Sequence, residues 1–232
     1  MRSYDIATSF LASIVRAGAG MTVTVLGARP KKPLELYEFE ACPYCRKVRE
    51  AMSVLDLDAM IYPCPQAGTR FRPAAAARSG KAQFPFLIDP NTGKEMLESG
   101  EIVRYLFGTY GDGSVPWALS VPVVTDVSSA LASLARLGSG RRSHSGVRTP
   151  QLPLELWSFE ASPFCRLVRE RLCELELPYL LHNVAKGSPS RDAFVAHSGR
   201  MMVPYLADQN TGASMFESAE ICAYLDRTYA RG

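Results

Sequence analysis

The chain has 232 residues, of which 47% are hydrophobic and 21% charged, and its formal net charge is +3. This length predicts one or two domains, and the composition is ordinary for a globular protein. Charge is nearly balanced in both halves, so no basic arm or patch indicates nucleic-acid binding. No apolar run reaches the roughly 18 residues of a membrane span, so we expect no transmembrane segment.

The chain begins with an apolar stretch, MRSYDIATSFLASIVRAGAG, which raises the question of a signal peptide. Asp5 is out of place in a signal peptide, and the end of the stretch, SFLASIVRAGAG, returns as SALASLARLGSG at 129–140. We therefore interpret both stretches as structural helices, at about 5–17 and 126–137.

The chain is a tandem repeat of one domain-sized unit. FEACPYCRKVRE at 39–50 returns as FEASPFCRLVRE at 159–170, and QFPFLIDPNTGKEMLESGEIVRYL at 83–106 returns as MVPYLADQNTGASMFESAEICAYL at 202–225. A period of this length is that of a duplicated domain rather than a solenoid repeat. We predict an N-terminal helix and loop, a first domain, a linker with a helix, and a second domain, at 1–32, 33–112, 113–152 and 153–232.

Each unit has the same predicted order of elements. The alternating stretch LELYEF or LELWSF predicts a strand, and apolar residues three and four apart predict the helix after it. A short strand, a helix, a strand after Pro85 or Pro204, a hairpin at N-T-G and a last helix from Ser99 or Ser218 follow. The βαβ part predicts parallel strands and the N-T-G turn an antiparallel pair. The order βαβ–α–ββα predicts an α/β fold with two tandem thioredoxin-like domains.

The motif Cys42-Pro43-Tyr44-Cys45 stands where a predicted strand gives way to a helix. Pro43 suits the first helical position, so Cys42 falls at the N-cap, where unpaired N–H groups and the helix dipole lower the pKa of a thiol. We predict Cys42 as the nucleophile and Cys45 as the resolving thiol. Two alternatives are a pair of buried structural cysteines and half of a zinc site. The chain has no second C-x-x-C, so we expect no metal.

Two further pairs of residues mark a candidate peptide-binding groove in each unit. Proline directly before a strand predicts cis bonds at Phe84-Pro85 and Val203-Pro204, which present backbone to an extended peptide. Glu98-Ser99 and Glu217-Ser218 precede the last helix, where serine suits an N-cap and the helix start suits an anion. A glutamate there can take an amino group while the helix N–H groups take a carboxylate.

These residues resemble two related families. Each unit is similar to the N-terminal, thioredoxin-fold domain of glutathione S-transferases and also to a glutaredoxin, because of CPYC and of F-P followed by E-S-x-E-I-x-x-Y-L. The tandem arrangement resembles two-domain thioredoxin-like proteins of plant and algal plastids and of cyanobacteria. The resemblance implies glutathione as ligand and a chloroplast location, in the stroma or at the thylakoid, with a bacterial cytoplasm as the alternative. It implies these glutathione-binding residues: Phe84, Pro85, Glu98, Ser99, Val203, Pro204, Glu217 and Ser218.

The chain departs from both families. Glutaredoxins usually carry a lysine three residues before the nucleophile, where this chain has Phe39 between Glu38 and Glu40. We expect these two carboxylates to raise the thiol pKa and to repel the carboxylates of glutathione. Glutathione transferases add an all-helical domain, whereas the second half of this chain is another thioredoxin-like unit.

The second unit has Ser162 where the first has Cys42, followed by Cys165 one turn into the helix. Ser162 fits either a transferase-type serine or the remnant of a lost nucleophile, and we favour the second. We therefore predict a glutaredoxin-like thiol–disulfide oxidoreductase, linked to glutathione or protein thiols, with its redox site in the first domain. The alternative is a binding or assembly subunit docked on a larger, for example photosynthetic, complex. Glutathione transferase chemistry through Ser162 ranks below both.

Overall fold

A computed structural model describes residues 20–120, 140–144 and 146–230. The helices predicted at 5–17 and 126–137 lie outside these residues. The first unit has β1 (Leu34–Glu38), α1 (Pro43–Val54), β2 (Ala59–Pro63), α2 (Arg72–Ser79), β3 (Phe86–Asp89), β4 (Lys94–Met96), α3 (Ser99–Tyr110) and the short α4 (Trp117–Ser120). The second has β5 (Leu154–Ser158), α5 (Pro163–Glu174), β6 (Tyr179–Asn183), α6 (Ser190–Ser198), β7 (Tyr205–Asp208), β8 (Ala213–Phe216) and α7 (Ser218–Tyr229).

The local predictions for each unit are confirmed. β1 pairs in parallel with β2, and β3 forms an antiparallel hairpin with β4; β5, β6, β7 and β8 repeat this arrangement. In β1 and β5 every second residue is buried, as the alternating sequence requires. Within the described residues, both units therefore have the predicted βαβ–α–ββα order.

The strands of both units form one eight-stranded sheet, in the order β4-β3-β1-β2-β6-β5-β7-β8. The units join where β2 pairs antiparallel with β6, with Met60 opposite Leu180. One hydrophobic core runs through both units, so that Leu36 and Leu106 of the first belong to the same buried cluster as Leu156 and Leu225 of the second. The sequence predicted two domains but did not predict this common sheet and core.

A buried cluster of charges, here called the central ion cluster, holds the two units together. It consists of Glu38, Glu40, Arg49, Glu160 and Arg169, whose side chains are at most 2% exposed. Arg49 Nε donates to Glu160 Oε2 at 2.9 Å, and Arg169 Nε donates to Glu40 Oε2 at 3.2 Å. Each arginine thus pairs with the glutamate of the other unit, and together they compensate the cost of burying these charges.

No helix within the described ranges is long and apolar enough to cross a membrane.

Candidate functional site

Cys42 is the N-cap of α1, and Pro43 occupies its first turn, as predicted. The Cys42 Sγ accepts a hydrogen bond from the Cys45 backbone N–H at 3.3 Å. Cys42 is 3% exposed and Cys45 is fully buried, and both thiols are free. The arrangement gives one thiol at the helix start and a second one turn deeper.

The two thiols have opposite electrostatic environments. Burial raises the pKa of Cys42, but hydrogen bonds from Cys45 and from the Tyr44 backbone stabilise the thiolate more, so the net pKa is lowered. Burial, the hydrogen bond to Cys42 and the charge on Cys42 all raise the pKa of Cys45 well above its ordinary value. The environment of Cys42 therefore favours the thiolate, and the environment of Cys45 favours the protonated thiol.

A cleft of about 530 Å³ opens beside Cys42. It brings together the nucleophile and the predicted glutathione-binding residues of the first unit, which are Phe84, Pro85, Glu98 and Ser99. The Phe84-Pro85 bond is cis, as predicted, and the Phe84 carbonyl oxygen lies 3.9 Å from Cys42 Sγ. A peptide that contacts the Phe84 backbone in this cleft is held next to the sulfur.

Arg72, which the sequence analysis missed, supplies the positive charge in this cleft. Its guanidinium carbon lies 4.7 Å from the centre of the Phe84 ring and 5.9 Å from that of Phe39. Its Nη1 donates to the Cys64 carbonyl at 2.9 Å, which fixes the side chain against the cleft wall. Nothing near C-P-Y-C in the sequence indicates Arg72, because the residue reaches the cleft from α2.

The start of α3 differs in one detail from the prediction. Glu98, not Ser99, is the N-cap, and no side chain caps the helix there; Ser99 is the first helical residue. Glu98 has a left-handed φ of 68°, a costly conformation for glutamate that is typical of functional positions. Gln83 Nε2 donates to Glu98 Oε1 at 2.6 Å, and both residues line the cleft. A carboxylate and the helix N-terminus thus lie side by side.

The expected effect of Glu38 and Glu40 on the site is only partly right: Glu38 opposes ionisation of Cys42, but neither carboxylate can repel a ligand. Both are about 1% exposed and pair with arginines of the central ion cluster, so neither faces a ligand in the cleft. Glu38 does act to raise the pKa of Cys42, but the hydrogen bonds to the sulfur outweigh it. Phe39 lines the cleft at the position of the missing lysine, and Arg72 packs over its ring.

The second unit has the same backbone features around the start of its first helix, but it lacks the thiol. Ser162 is the N-cap of α5, and its Oγ accepts from the Cys165 N–H at 3.2 Å. The Val203-Pro204 bond is cis, and Glu217, before Ser218, has a φ of 66°. Ser162 is 5% exposed and Cys165 is fully buried.

No cluster of three or more side chains suited to hold a metal ion occurs among the described residues.

The sequence model of the "Glutathione S-transferase, N-terminal domain" family matches the chain twice, at residues 36–114 and 156–231. The chain belongs to the glutathione S-transferase N-terminal domain family. It therefore consists of two tandem thioredoxin-fold domains of this family, and the site lies in the first of them.

No curated protein matches the chain significantly. Among solved structures, the chain is similar to TDR1, a trimeric glutathione transferase from Leishmania, with 14% identity over 87% of this chain and 68% of that one. The TM-score is 0.31, which is too low to support any conclusion about this chain.

Proposed function

We propose that the first domain is a glutathione-linked thiol–disulfide oxidoreductase and that the second domain is a scaffold that no longer carries out this chemistry. The observation that carries the proposal is the Cys42 thiol at the start of α1. Its pKa is lowered, it is not in a disulfide, and it borders the cleft. Membership of a glutathione-binding family supports glutathione as the ligand.

The charges of the cleft suit the two ends of glutathione. The γ-glutamyl end carries an ammonium and a carboxylate, which fit the Glu98 carboxylate and the N–H groups at the start of α3. The glycyl end carries the second carboxylate, for which Arg72 offers a cation on the cleft wall. The Phe84 carbonyl, 3.9 Å from Cys42 Sγ, is suited to accept the N–H of the central cysteinyl residue.

The chemistry is thiol–disulfide exchange. The Cys42 thiolate attacks the glutathione sulfur of a glutathionylated substrate, the substrate S–S bond breaks, and the substrate thiolate leaves and takes up a proton. Cys45 then attacks Cys42, forms the Cys42–Cys45 disulfide and releases glutathione. Two external thiols, such as two glutathione molecules, reduce this disulfide and are themselves oxidised to a disulfide.

The second domain has the hydroxyl of Ser162 in place of the nucleophile. A serine hydroxyl cannot form a mixed disulfide, and Cys165 behind it is fully buried. The second domain still contributes four strands of the common sheet, and it contributes Glu160 and Arg169 to the central ion cluster.

A glutathionylated peptide tests the proposal directly. The wild type is expected to release glutathione from the peptide, Cys42→Ser to lose this activity, and the matched variant Ser162→Ala to keep it. Equal rates for the wild type and Cys42→Ser, or no activity in the wild type, would refute the proposal. A docked assembly subunit and a plastid location stay predictions.

A further inference from the structure

A second pocket, here called the junction pocket, lies where the two domains meet. Its volume is about 580 Å³, and residues of both domains line it. Pro33, just before β1, and Pro153, just before β5, belong to its walls, whereas Cys42 follows the opposite end of β1. The junction pocket shares no lining residue with the Cys42 cleft, and its size is that of sites for small organic ligands.

The junction pocket is built on one row of side chains that crosses four strands. Glu35 of β1 is in register with Met60 of β2, which faces Leu180 of β6 across the domain junction. Leu180 is in turn in register with Glu155 of β5. All four side chains are half-buried and line the pocket. Because neighbouring strands are about 4.8 Å apart, the row is roughly 14 Å long, with an apolar centre and a carboxylate at each end.

The carboxylate of the second domain is held by other groups of the protein. His182 Nε2 lies 3.0 Å from Glu155 Oε2, and Gln209 Nε2 donates to Glu155 Oε1. Both oxygens of Glu155 therefore already have a partner, so this end of the row has little to offer a ligand.

Glu35, at the other end of the row, lacks both partners. The first domain has Tyr62 where the second has His182, and Pro90 where the second has Gln209. Among the residues that the structure describes, the Glu35 carboxylate makes no hydrogen bond or ion pair. Burial first, and then the charge on Glu35, raises the pKa of Tyr62, so the carboxylate lies close to this ring. A half-buried carboxylate without a partner, beside an aromatic ring, favours a cation.

The other charges of the lining agree with this preference. Two carboxylates and one ammonium, that of Lys32, line the junction pocket. Lys32 is exposed, and in the described part of the chain no ion pair joins it to Glu35. The lining therefore carries a net negative charge, and its free carboxylate is available to a ligand.

From this row and its open carboxylate we propose that the junction pocket binds a small organic ammonium ion with an apolar body. The ammonium pairs with the Glu35 carboxylate beside the Tyr62 ring, and the body packs on Met60 and Leu180. Leu152, which is 50% exposed, lines the same pocket and is covered by the bound ligand. The binding is non-covalent and independent of the chemistry proposed for Cys42.

Two fluorescent probes with the same aromatic ring system test this inference. Dansylcadaverine carries a primary ammonium, dansylamide is neutral, and the emission of both increases when the ring leaves water. The wild type is expected to bind dansylcadaverine more tightly than dansylamide. Glu35→Gln should weaken the binding of dansylcadaverine about tenfold, because a hydrogen bond between two charged groups is lost. The same variant should leave the binding of dansylamide nearly unchanged.

The second domain supplies matched variants. Tyr62→His combined with Pro90→Gln gives Glu35 the partners that Glu155 has, so it should weaken dansylcadaverine binding although the carboxylate is kept. Glu155→Gln changes the carboxylate that is already held and should have a much smaller effect than Glu35→Gln. Cys42→Ser should bind the probe as the wild type does. Urea unfolding of each variant checks that the fold is intact.

Several outcomes would overturn the inference. These are no binding by the wild type, equal affinities of the wild type and Glu35→Gln for dansylcadaverine, and equal affinities of the wild type for the two probes. Tighter binding of the anion dansylglycine would show that Lys32 dominates the pocket, against the inference. Loss of binding in Cys42→Ser would place the probe in the Cys42 cleft and would also overturn it. None of these results bears on the release of glutathione by Cys42, which its own assay tests.

Discussion

The two domains have the same backbone plan but differ at the residues next to the start of the first helix. The first domain has Glu38 and Cys42 where the second has Ser158 and Ser162. The cis peptide bond, the left-handed glutamate and the N-cap hydrogen bond occur in both. The difference teaches that the frame can hold its shape without the thiol, whereas Glu38 also belongs to the central ion cluster through its pair with Arg49.

The two domains are alike, by contrast, in the charges that they contribute to the central ion cluster. Arg49 pairs with Glu160 and Arg169 with Glu40, so each domain supplies the same two charges to the other. Three arginines hold the pKa of Glu160 down at about 2, although burial alone would raise it. Removing one member of either pair would leave a buried charge without its partner from the other domain.

Disrupting the central ion cluster should have the largest effect on the free energy of unfolding. Glu160→Gln removes one of the buried carboxylates that Arg49 and Arg169 share, and it should lower the free energy of unfolding by about 3–5 kcal/mol. Urea unfolding measures the change. Glu101→Gln, which disrupts an exposed pair with Arg104, is the control and should cost at most about 1 kcal/mol. Equal small losses would show that the central ion cluster does not hold the domains together.

Restoring a thiol to the second domain sharpens the comparison. In a Cys42→Ser background, Ser162→Cys should give a thiol with a lowered pKa, because the Cys165 N–H already donates to the side chain at this N-cap. Alkylation by iodoacetamide over a series of pH values measures the change, with Cys42→Ser alone as the control. If the new thiol is alkylated only at the pH that free glutathione requires, the N-cap of the second domain does not activate a thiol.

The two equivalent arginines offer the next test. Arg72 and Arg191 each lie at the start of a helix and donate to the two backbone carbonyls that follow the preceding strand, but Arg72 also lines the cleft. Arg72→Leu removes a charged hydrogen bond to the ligand and should raise the KM for the glutathionylated peptide about tenfold or more, with little change in kcat. Arg191→Leu should leave KM unchanged. A similar rise in both variants would indicate a general structural effect.

The smallest expected effect concerns His182, which stands where the first domain has Tyr62. Its Nδ1 lies 3.1 Å from Asp58 and its Nε2 lies 3.0 Å from Glu155. Burial lowers the pKa of His182, but the hydrogen bonds and charges of these carboxylates raise it overall. The stabilisation is complete below the unfolded-state pKa and is lost as pH rises through the higher folded-state pKa.

Urea unfolding between pH 6 and pH 9 checks this dependence. The wild type should lose up to about 1 kcal/mol relative to His182→Gln as pH rises, since Asp58 is 42% exposed and solvent screens the pair. Parallel curves for the two proteins would contradict the role of His182.

The sequence predicted the elements well, and it placed Cys42 at the start of a helix, because both signals are local. Alternating residues predict the strands, and C-P-Y-C after a strand places Cys42 at a helix start. The repeat also singled out the cis prolines and the E-S pairs. In the first domain, Phe84, Pro85, Glu98 and Ser99 meet with Cys42 in one cleft.

What the sequence could not give depends on contacts between distant residues. Arg72 reaches the cleft from another helix, and Glu40 pairs with Arg169 in the other domain. Glu38 and Glu40 were expected to disturb the ligand because nothing local showed their arginine partners. One signal was present: the Glu of F-E-A returns as Glu40 and Glu160, and the second Arg of C-R-x-V-R-E returns as Arg49 and Arg169.

The most direct test of the central claim is the pH dependence of Cys42 alkylation by iodoacetamide, followed by mass spectrometry of the Cys42 peptide. Free glutathione in the same solution is the reference thiol. The structure predicts that Cys42 ionises at a lower pH than glutathione and is alkylated first among the six cysteines. Alkylation that requires a higher pH than glutathione, or that occurs only after unfolding, would show that Cys42 is a structural thiol and would contradict a redox site in the first domain.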